Sequence, residues 1–264
     1  MNNVNKTLYI PLYGKAYVSR RNMFLPDPTA EAIWEQEGFA LKGKARSKWL
    51  AYNMGMRSAV FDHWTEDKLR EYPGAVVLHL GCGMDSRVHR LGGSATLWFD
   101  VDFPDVIGER QRYFSQTPAY RMLGCDLREE AWLDAIPAGG SAIVVMEGIS
   151  MYLTNAQLQL LLARLCRRFE KLYVLMDCYT VFAAKATKYK NPINEVGVTH
   201  VYGFDDPQLL TGATGLTYVR EHDLTPEELI AQLPKRERGF FRLCFAGRAA
   251  KHIYRLYEYK KDTV

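Results

Sequence analysis

Long apolar runs are missing from this chain. No segment approaches the roughly 18 to 20 consecutive apolar residues that a membrane span requires. The polar start, residues 1–6, is not followed by the apolar core of an export signal, so no membrane partner and a cytoplasmic location are expected. Charge of one sign is missing too. Lys and Arg number 34 against 30 Asp and Glu, a net charge of +4, and the basic residues are scattered, which argues against a nucleic-acid partner. Cysteine is scarce. Cys82, Cys125, Cys166, Cys178 and Cys244 are odd in number and none pair at CxxC spacing, so neither a disulfide frame nor a metal site is indicated. No internal repeat or low-complexity tract is visible, which excludes a solenoid. With 48% apolar and 24% charged residues over 264 positions, the chain has the balance of a globular protein and not of a disordered one.

Aromatic residues are plentiful: 16 Tyr, 12 Phe and 5 Trp. Many fall in the first seventy residues (Tyr9, Tyr13, Tyr17, Phe24, Trp34, Phe39, Trp49, Tyr52, Phe61, Trp64). That part shows no strand alternation. Residues 28–36 read as a helix opening after Asp27 with Pro28 at its first position. Residues 47–72 read as one or two helices with Gly55 as the break. From residue 73 the pattern becomes strand, turn, helix. Short apolar runs at 75–80, 95–101, 119–123, 141–146 and 171–177 suit strands buried on both faces. Helices are expected between them at 85–91, 104–114, 128–136 and 154–169, the last capped by Thr154. Alternation of this kind implies a parallel sheet with right-handed crossovers. Residues 179–214 are irregular, which suits a lid or binding excursion, and Tyr179, Phe182, Tyr189, Tyr202 and Phe204 add aromatics there. A sixth strand is expected at 216–221, a short helix at 225–232 capped by Thr225, a further helix at 240–246, and a late antiparallel strand at 252–259 (HIYRLYEY). The aromatics of cover and excursion are expected to contribute to a water-poor pocket over the sheet edge.

The segment 79–87, HLGCGMDSR, follows a strand and precedes a helix. Gly81 and Gly83 permit a tight turn and close approach of a ligand. Asp100 and Asp102 end the next strand about 20 residues on, where a carboxylate meets ribose hydroxyls. Asp126 follows the third strand and Glu147 the fourth. All lie at the C-terminal edge of a parallel sheet, where ligands bind in open α/β folds; a helix cap at Asp126 and a solvated loop carboxylate at Glu147 are the bland readings. Ser86 stands where the third glycine of a dinucleotide fingerprint would be. That favours a nucleoside cofactor without phosphates, S-adenosylmethionine, over NAD, although an NAD-binding oxidoreductase stays open. The cofactor's methionine carboxylate needs a cation, for which Arg57 is the candidate.

In these segments the chain resembles the leucine carboxyl methyltransferase family, which includes polyketide O-methyltransferases. Arg57-Ser58 with Phe61-Asp62, VVLHLGCGMDSRVHRL, LWFDVDFPDVI, CDLRE and EGISMYLT occur in the family's order over about residues 55–170. The resemblance implies a Rossmann-like class I methyltransferase, an α/β fold with a mostly parallel seven-stranded sheet, a helical N-terminal cover and a lid. It implies one domain over 1–264, with cover 1–72, cofactor-binding core 73–178, excursion 179–215 and C-terminal elements 216–264. It implies that Arg57 binds the cofactor carboxylate, that Gly81, Cys82 and Gly83 line its methionine part, and that Asp102 binds the ribose. Phe103 would pack on adenine, Asp126 and Leu127 would meet its edge, Glu147 would lie near the amino group, and Tyr152 would face the methyl group and the substrate. The implied activity is O-methylation of a carboxylate or phenolic oxygen of a small molecule; a protein C-terminal carboxylate is the alternative acceptor. His200, His222 and Asp177 are the candidate general bases and none is assigned; His79 reads as structural.

Overall fold

The computed structural model describes residues 8–38, 43–95, 97–186 and 201–262. The first helices are α1 (Tyr9–Ser19), α2 (Pro28–Glu37) and α3 (Lys48–Glu71). Asp27 starts α2, its carboxylate accepting from the Ala30 amide at 2.9 Å, with Pro28 at the first position where a missing N–H costs nothing. Of the one or two helices expected over 47–72, a single one forms: α3 runs unbroken through Gly55 for 24 residues. Gly55 serves packing instead: a Cβ there would stand 2.8 Å from Val18 Cγ2. Gly14 of α1 is likewise pressed on α3, where its missing Cβ would lie 2.7 Å from that of Met54.

The strands are β1 (Val76–Leu80), β2 (Leu97–Asp102), β3 (Tyr120–Gly124), β4 (Ser141–Met146), β5 (Lys171–Tyr179), β6 (Thr217–Glu221) and β7 (Tyr254–Lys261). They form one sheet in the order β3-β2-β1-β4-β5-β7-β6. The first five pair in parallel, and β7 enters antiparallel between β5 and β6. The connecting helices are α4 (Arg87–Leu91), α5 (Pro104–Arg110), α6 (Asn155–Arg168), α7 (Val181–Ala186), α8 (Thr211–Thr214), α9 (Glu227–Ile230), α10 (Lys235–Phe245) and α11 (Gly247–Lys251). One face of the sheet, with Val77, Ile143, Val145 and Leu175, packs on the N-terminal helices. The other, with Leu78, Val144, Met146 and Val174, packs on Leu158, Leu161, Leu162 and Leu165 of α6. Thr154 caps α6 as expected, completing a capping box with Gln157.

Two local expectations fail. Residues 128–136 form only a 3-10 turn at Ala131–Ala135, because Asp126 ties the Arg128 amide into a local turn. Thr225 does not cap α9; Pro226 occupies the cap position with no side-chain bond.

Candidate functional site

The C-terminal ends of β1 to β5 open into a cavity of about 970 Å³. Its roof comes from α1 (Ile10, Leu12, Lys15), α3 (Leu50, Met54, Arg57), α7 (Phe182, Ala183, Ala186) and the α10–α11 region (Cys244, Phe245, Ala249). Arg57, Gly81, Cys82, Gly83, Asp102, Phe103, Asp126, Leu127, Glu147 and Tyr152 all stand on its wall.

The glycine loop is bolted to the end of β2. The Gly81 amide donates to the Val101 carbonyl at 2.8 Å, the Cys82 amide to the same carbonyl at 3.3 Å, and the Gly83 amide to Asp102 Oδ2 at 2.8 Å. Gly81 and Gly83 hold φ of +69° and +51°, the left-handed region that disfavours a Cβ. The second oxygen of Asp102 accepts from the Phe103 amide at 2.8 Å. Burial pushes the Asp102 carboxyl upward, against the pull of these two amides. Asp100, expected beside it, has a different job. It is wholly buried, bonded to Arg110, Tyr120, Trp98 Nε1 and His79, and is no part of the cavity wall. Burial raises its carboxyl, but Arg110 and His79 outweigh this and bring it to about 2.

Beneath the roof lies a buried charge cluster. Arg57 Nε donates to Glu147 at 3.1 Å and its Nη1 to Asp177 at 2.9 Å. Arg87, wholly buried, reaches Asp62 (2.6 Å), Ser58 (3.2 Å) and Glu147 (2.5 Å). Arg90 binds Asp62, Asp27 and Asp85. Lys15 lies 2.6 Å from Asp85 and 3.9 Å from Glu147. Burial raises the Glu147 carboxyl, but Lys15, Arg57 and Arg87 together hold it below the ordinary range. It is not a solvated loop carboxylate. His79 Nδ1 stands 3.2 Å from Asp100 and its Nε2 3.1 Å from Arg87. An arginine only donates, so Nε2 accepts and Nδ1 carries the proton. His79 is therefore held structurally, as expected, although it also touches the cavity.

Lys15, Arg87 and Asp85 were not among the site residues read from the sequence. Lys15 had a signal, since it is the only charge in the 11 residues of α1. Asp177 is wholly buried and shared by Arg57 and the Gly148 amide at 2.7 Å, which removes it as a base. His222 pairs with Glu258 at 2.7 Å and is not on the cavity wall; His200 lies outside the described residues. Asp126 is half-buried and paired with Arg128. The cover aromatics do not wall the cavity. Tyr13 packs on Trp34 and Tyr17 on Tyr52, between helices, while Phe39 lies outside the described residues. Among the described residues, the Phe and Tyr rings at the cavity are Phe103, Tyr152, Tyr179, Phe182, Phe245 and Tyr254. Of the other excursion aromatics, Phe204 is buried in the α6 core and Tyr202 is exposed away from the wall, while Tyr189 lies outside the described residues.

The wall suits S-adenosylmethionine, a net cation with an amino-acid end. Behind it, the buried cluster sets four cations, Lys15, Arg57, Arg87 and Arg90, against five carboxylates, Asp27, Asp62, Asp85, Glu147 and Asp177, of which Lys15, Arg57, Asp85 and Glu147 reach the cavity, an excess of acid that a cation relieves. At Gly148 the missing Cβ would stand 3.4 Å from Arg57 Nη2, so the bare backbone leaves that guanidinium edge open.

Fold and site define a class I S-adenosylmethionine-dependent methyltransferase. A family model, leucine carboxyl methyltransferase, matches residues 12–166, and the chain belongs to that family. The tetracenomycin polyketide synthesis O-methyltransferase TcmP of Streptomyces glaucescens is 30% identical over 234 residues, covering 88% of this chain and 87% of its own. The S-adenosyl-L-methionine-dependent methyltransferase dpfgK of Gibberella zeae is 32% identical over 180 residues, 61% of this chain and 60% of its own. Among solved structures, the magnesium protoporphyrin IX methyltransferase ChlM of Synechocystis PCC 6803 with bound SAH aligns over 88% of this chain and 93% of its own, with TM-score 0.52 and 12% identity. A Thermobifida fusca YX protein described as a methyltransferase aligns over 96% and 94%, with TM-score 0.60 and 11% identity; these two speak for the fold.

Proposed function

We propose that this enzyme methylates an oxygen of a small molecule, and that the oxygen belongs to a carboxylate rather than a phenol. The observation that supports this best is the pairing of every acid and imidazole on the cavity wall. Glu147, Asp85 and Asp126 are ion-paired, Asp102 is held by two amides, and His79 is held by Asp100 and Arg87. No described carboxylate or imidazole on the wall stands ready to take a proton. A phenol with a pKa of about 10 would need such a base, whereas a carboxylate is already ionised at neutral pH. The relative TcmP is a polyketide O-methyltransferase by name, in keeping with a small-molecule acceptor. The volume of about 970 Å³ lies at the top of the range of roughly 300–1,000 Å³ for ligand pockets, room for cofactor and acceptor together.

In this reading Arg57 holds the cofactor carboxylate through its open edge, and Gly81, Cys82 and Gly83 line the methionine part. Asp102 receives the ribose hydroxyls, Phe103 covers the adenine, and Asp126 and Leu127 meet its rim. Glu147 faces the amino group, and Tyr152 the transfer site. When bound, S-adenosylmethionine supplies the electrophilic methyl group. The protein's part is alignment and exclusion of water. Forming a methyl ester from a carboxylate releases no proton, in keeping with the lack of a free carboxylate or imidazole among the described wall residues.

Calorimetry with SAH tests the cofactor assignment. Asp102→Ala is expected to lower affinity about tenfold to a hundredfold, the effect of losing hydrogen bonds to a charged group; unchanged affinity overturns the role of Asp102. Mass spectrometry of reactions with aromatic carboxylic acids, phenols and peptides ending in leucine tests the acceptor. Methyl ester on the small acids supports the proposal. Methylation of phenols alone, or of peptides alone, overturns it.

A further inference from the structure

The sheet order divides the cavity. The glycine loop, Asp102 and Asp126 follow β1, β2 and β3, on one side. On the other side lie the ends of β4 and β5 and the start of β7. Because β7 is antiparallel, its first residue arrives at the same edge as the last of β5, and Tyr254 is the register partner of Tyr179. Their rings lie 4.6 Å apart at 52°, and both residues line the cavity with Tyr152. Around them the wall is Ile149, Met151, Phe182 and Ile253. Polar groups on such a wall are costly unless partnered; Tyr179 and Tyr254 partner each other, with the Arg57 and Asp177 charges close to Tyr254. The one guanidinium nearby, Arg57, spends Nε and Nη1 on Glu147 and Asp177.

We infer that Tyr254 binds the acceptor's carboxylate through its phenol O–H, with Tyr179 as the positioning residue that sets its ring. This rests on the carboxylate reading above. A phenol is a strong donor to a carboxylate oxygen, and being neutral it orients the group without cancelling the charge that makes the second oxygen nucleophilic. Burial pushes the Tyr254 hydroxyl up to about 12 and raises that of Tyr179 well above its ordinary value, so both keep their protons at neutral pH. Tyr152 lies close enough to raise both. The two phenols hydrogen-bond to each other in the sense that raises Tyr179 and lowers Tyr254, with Tyr179 donating, so the Tyr254 O–H remains to be given to a ligand.

The test is calorimetry on the SAH complex with two probes of one shape, 2-naphthoate and 2-naphthol. The wild-type complex is expected to prefer naphthoate by about tenfold or more. Tyr254→Phe is expected to weaken naphthoate about tenfold to a hundredfold while SAH affinity stays within about twofold. Tyr179→Phe should fall between, and the double variant should be no weaker than Tyr254→Phe, because a positioning residue acts only through its partner. Naphthoate affinity unchanged in Tyr254→Phe overturns the inference. So does a wild-type complex that prefers naphthol or binds neither probe, and so does loss of SAH along with naphthoate in Tyr254→Phe. Failure of wild-type protein to bind SAH strikes the cofactor assignment instead.

Discussion

Lys15 shows how a single residue acquires its meaning from burial. It is 3% exposed, and its ammonium sits beside two acids that the glycine loop and β4 bring beneath it. Removing one partner of such a buried set leaves charge uncompensated, at a cost of roughly 3–5 kcal/mol. Lys15→Met is therefore expected to lose on the order of 3 kcal/mol in urea unfolding. A loss below about 0.5 kcal/mol, the range of ordinary surface substitutions, would show that the ammonium carries little of the cluster. Asp100 makes the complementary point. It stands two residues from Asp102 on the same strand, yet Arg110 and Tyr120 claim it for the core. Residue type and spacing marked both aspartates, and the resemblance singled out Asp102; the neighbours show what Asp100 does instead.

At the scale of elements, α1 and α3 form a pair whose contact depends on small residues. Gly14→Ala places a Cβ at 2.7 Å from the Cβ of Met54, with Ala51 backbone atoms at 3.4 Å. Neither neighbour is the far end of a flexible chain, so the helices must separate. The gain of about 1 kcal/mol in helix propensity is expected to be exceeded by an overpacking cost of roughly 1–3 kcal/mol. The melting temperature should fall, and SAH affinity with it, because Lys15 is the next residue. A raised melting temperature with intact SAH binding would overturn this. The helix boundaries follow the same logic. Asp27 and Thr154 were legible as caps because their signal is local, whereas the sequence left Gly55 open between a break and a continuous helix, because its reason, the Val18 side chain of another helix, is not local.

Buried charge makes the whole molecule acid-sensitive, under the roof at Glu147 and Asp85 and in the core at Asp100 beside Arg110. Glu147, Asp85 and Asp100 have carboxyls held below their ordinary values. The folded state binds their protons less readily than the unfolded chain, so the stability they contribute is complete above the ordinary values of 4.5 for Glu and 3.8 for Asp. It is lost as pH falls through the lowered ones. Asp102 and Asp177 are raised, have the opposite sign, and offset part of the loss. Thermal scans are expected to show a level melting temperature above about pH 5 and a decline toward about pH 2.5. A flat profile over that span would mean that the cations do not stabilise these carboxylates.

The amino-acid sequence by itself determined the alternation of strand and helix, the glycine loop, the acids at strand ends and the resemblance that goes with them, because these signals are short-range or periodic. The ten site residues read from it meet on one cavity. Only the tertiary structure decided which acids are paired, that Lys15 belongs to the cavity, that the cover aromatics pack between helices, and that β7 brings Tyr254 to the edge where β5 ends. Those facts depend on contacts between residues far apart in the chain, such as Arg57 with Asp177 and Tyr179 with Tyr254, and no local pattern encodes which partner a buried charge or phenol will find.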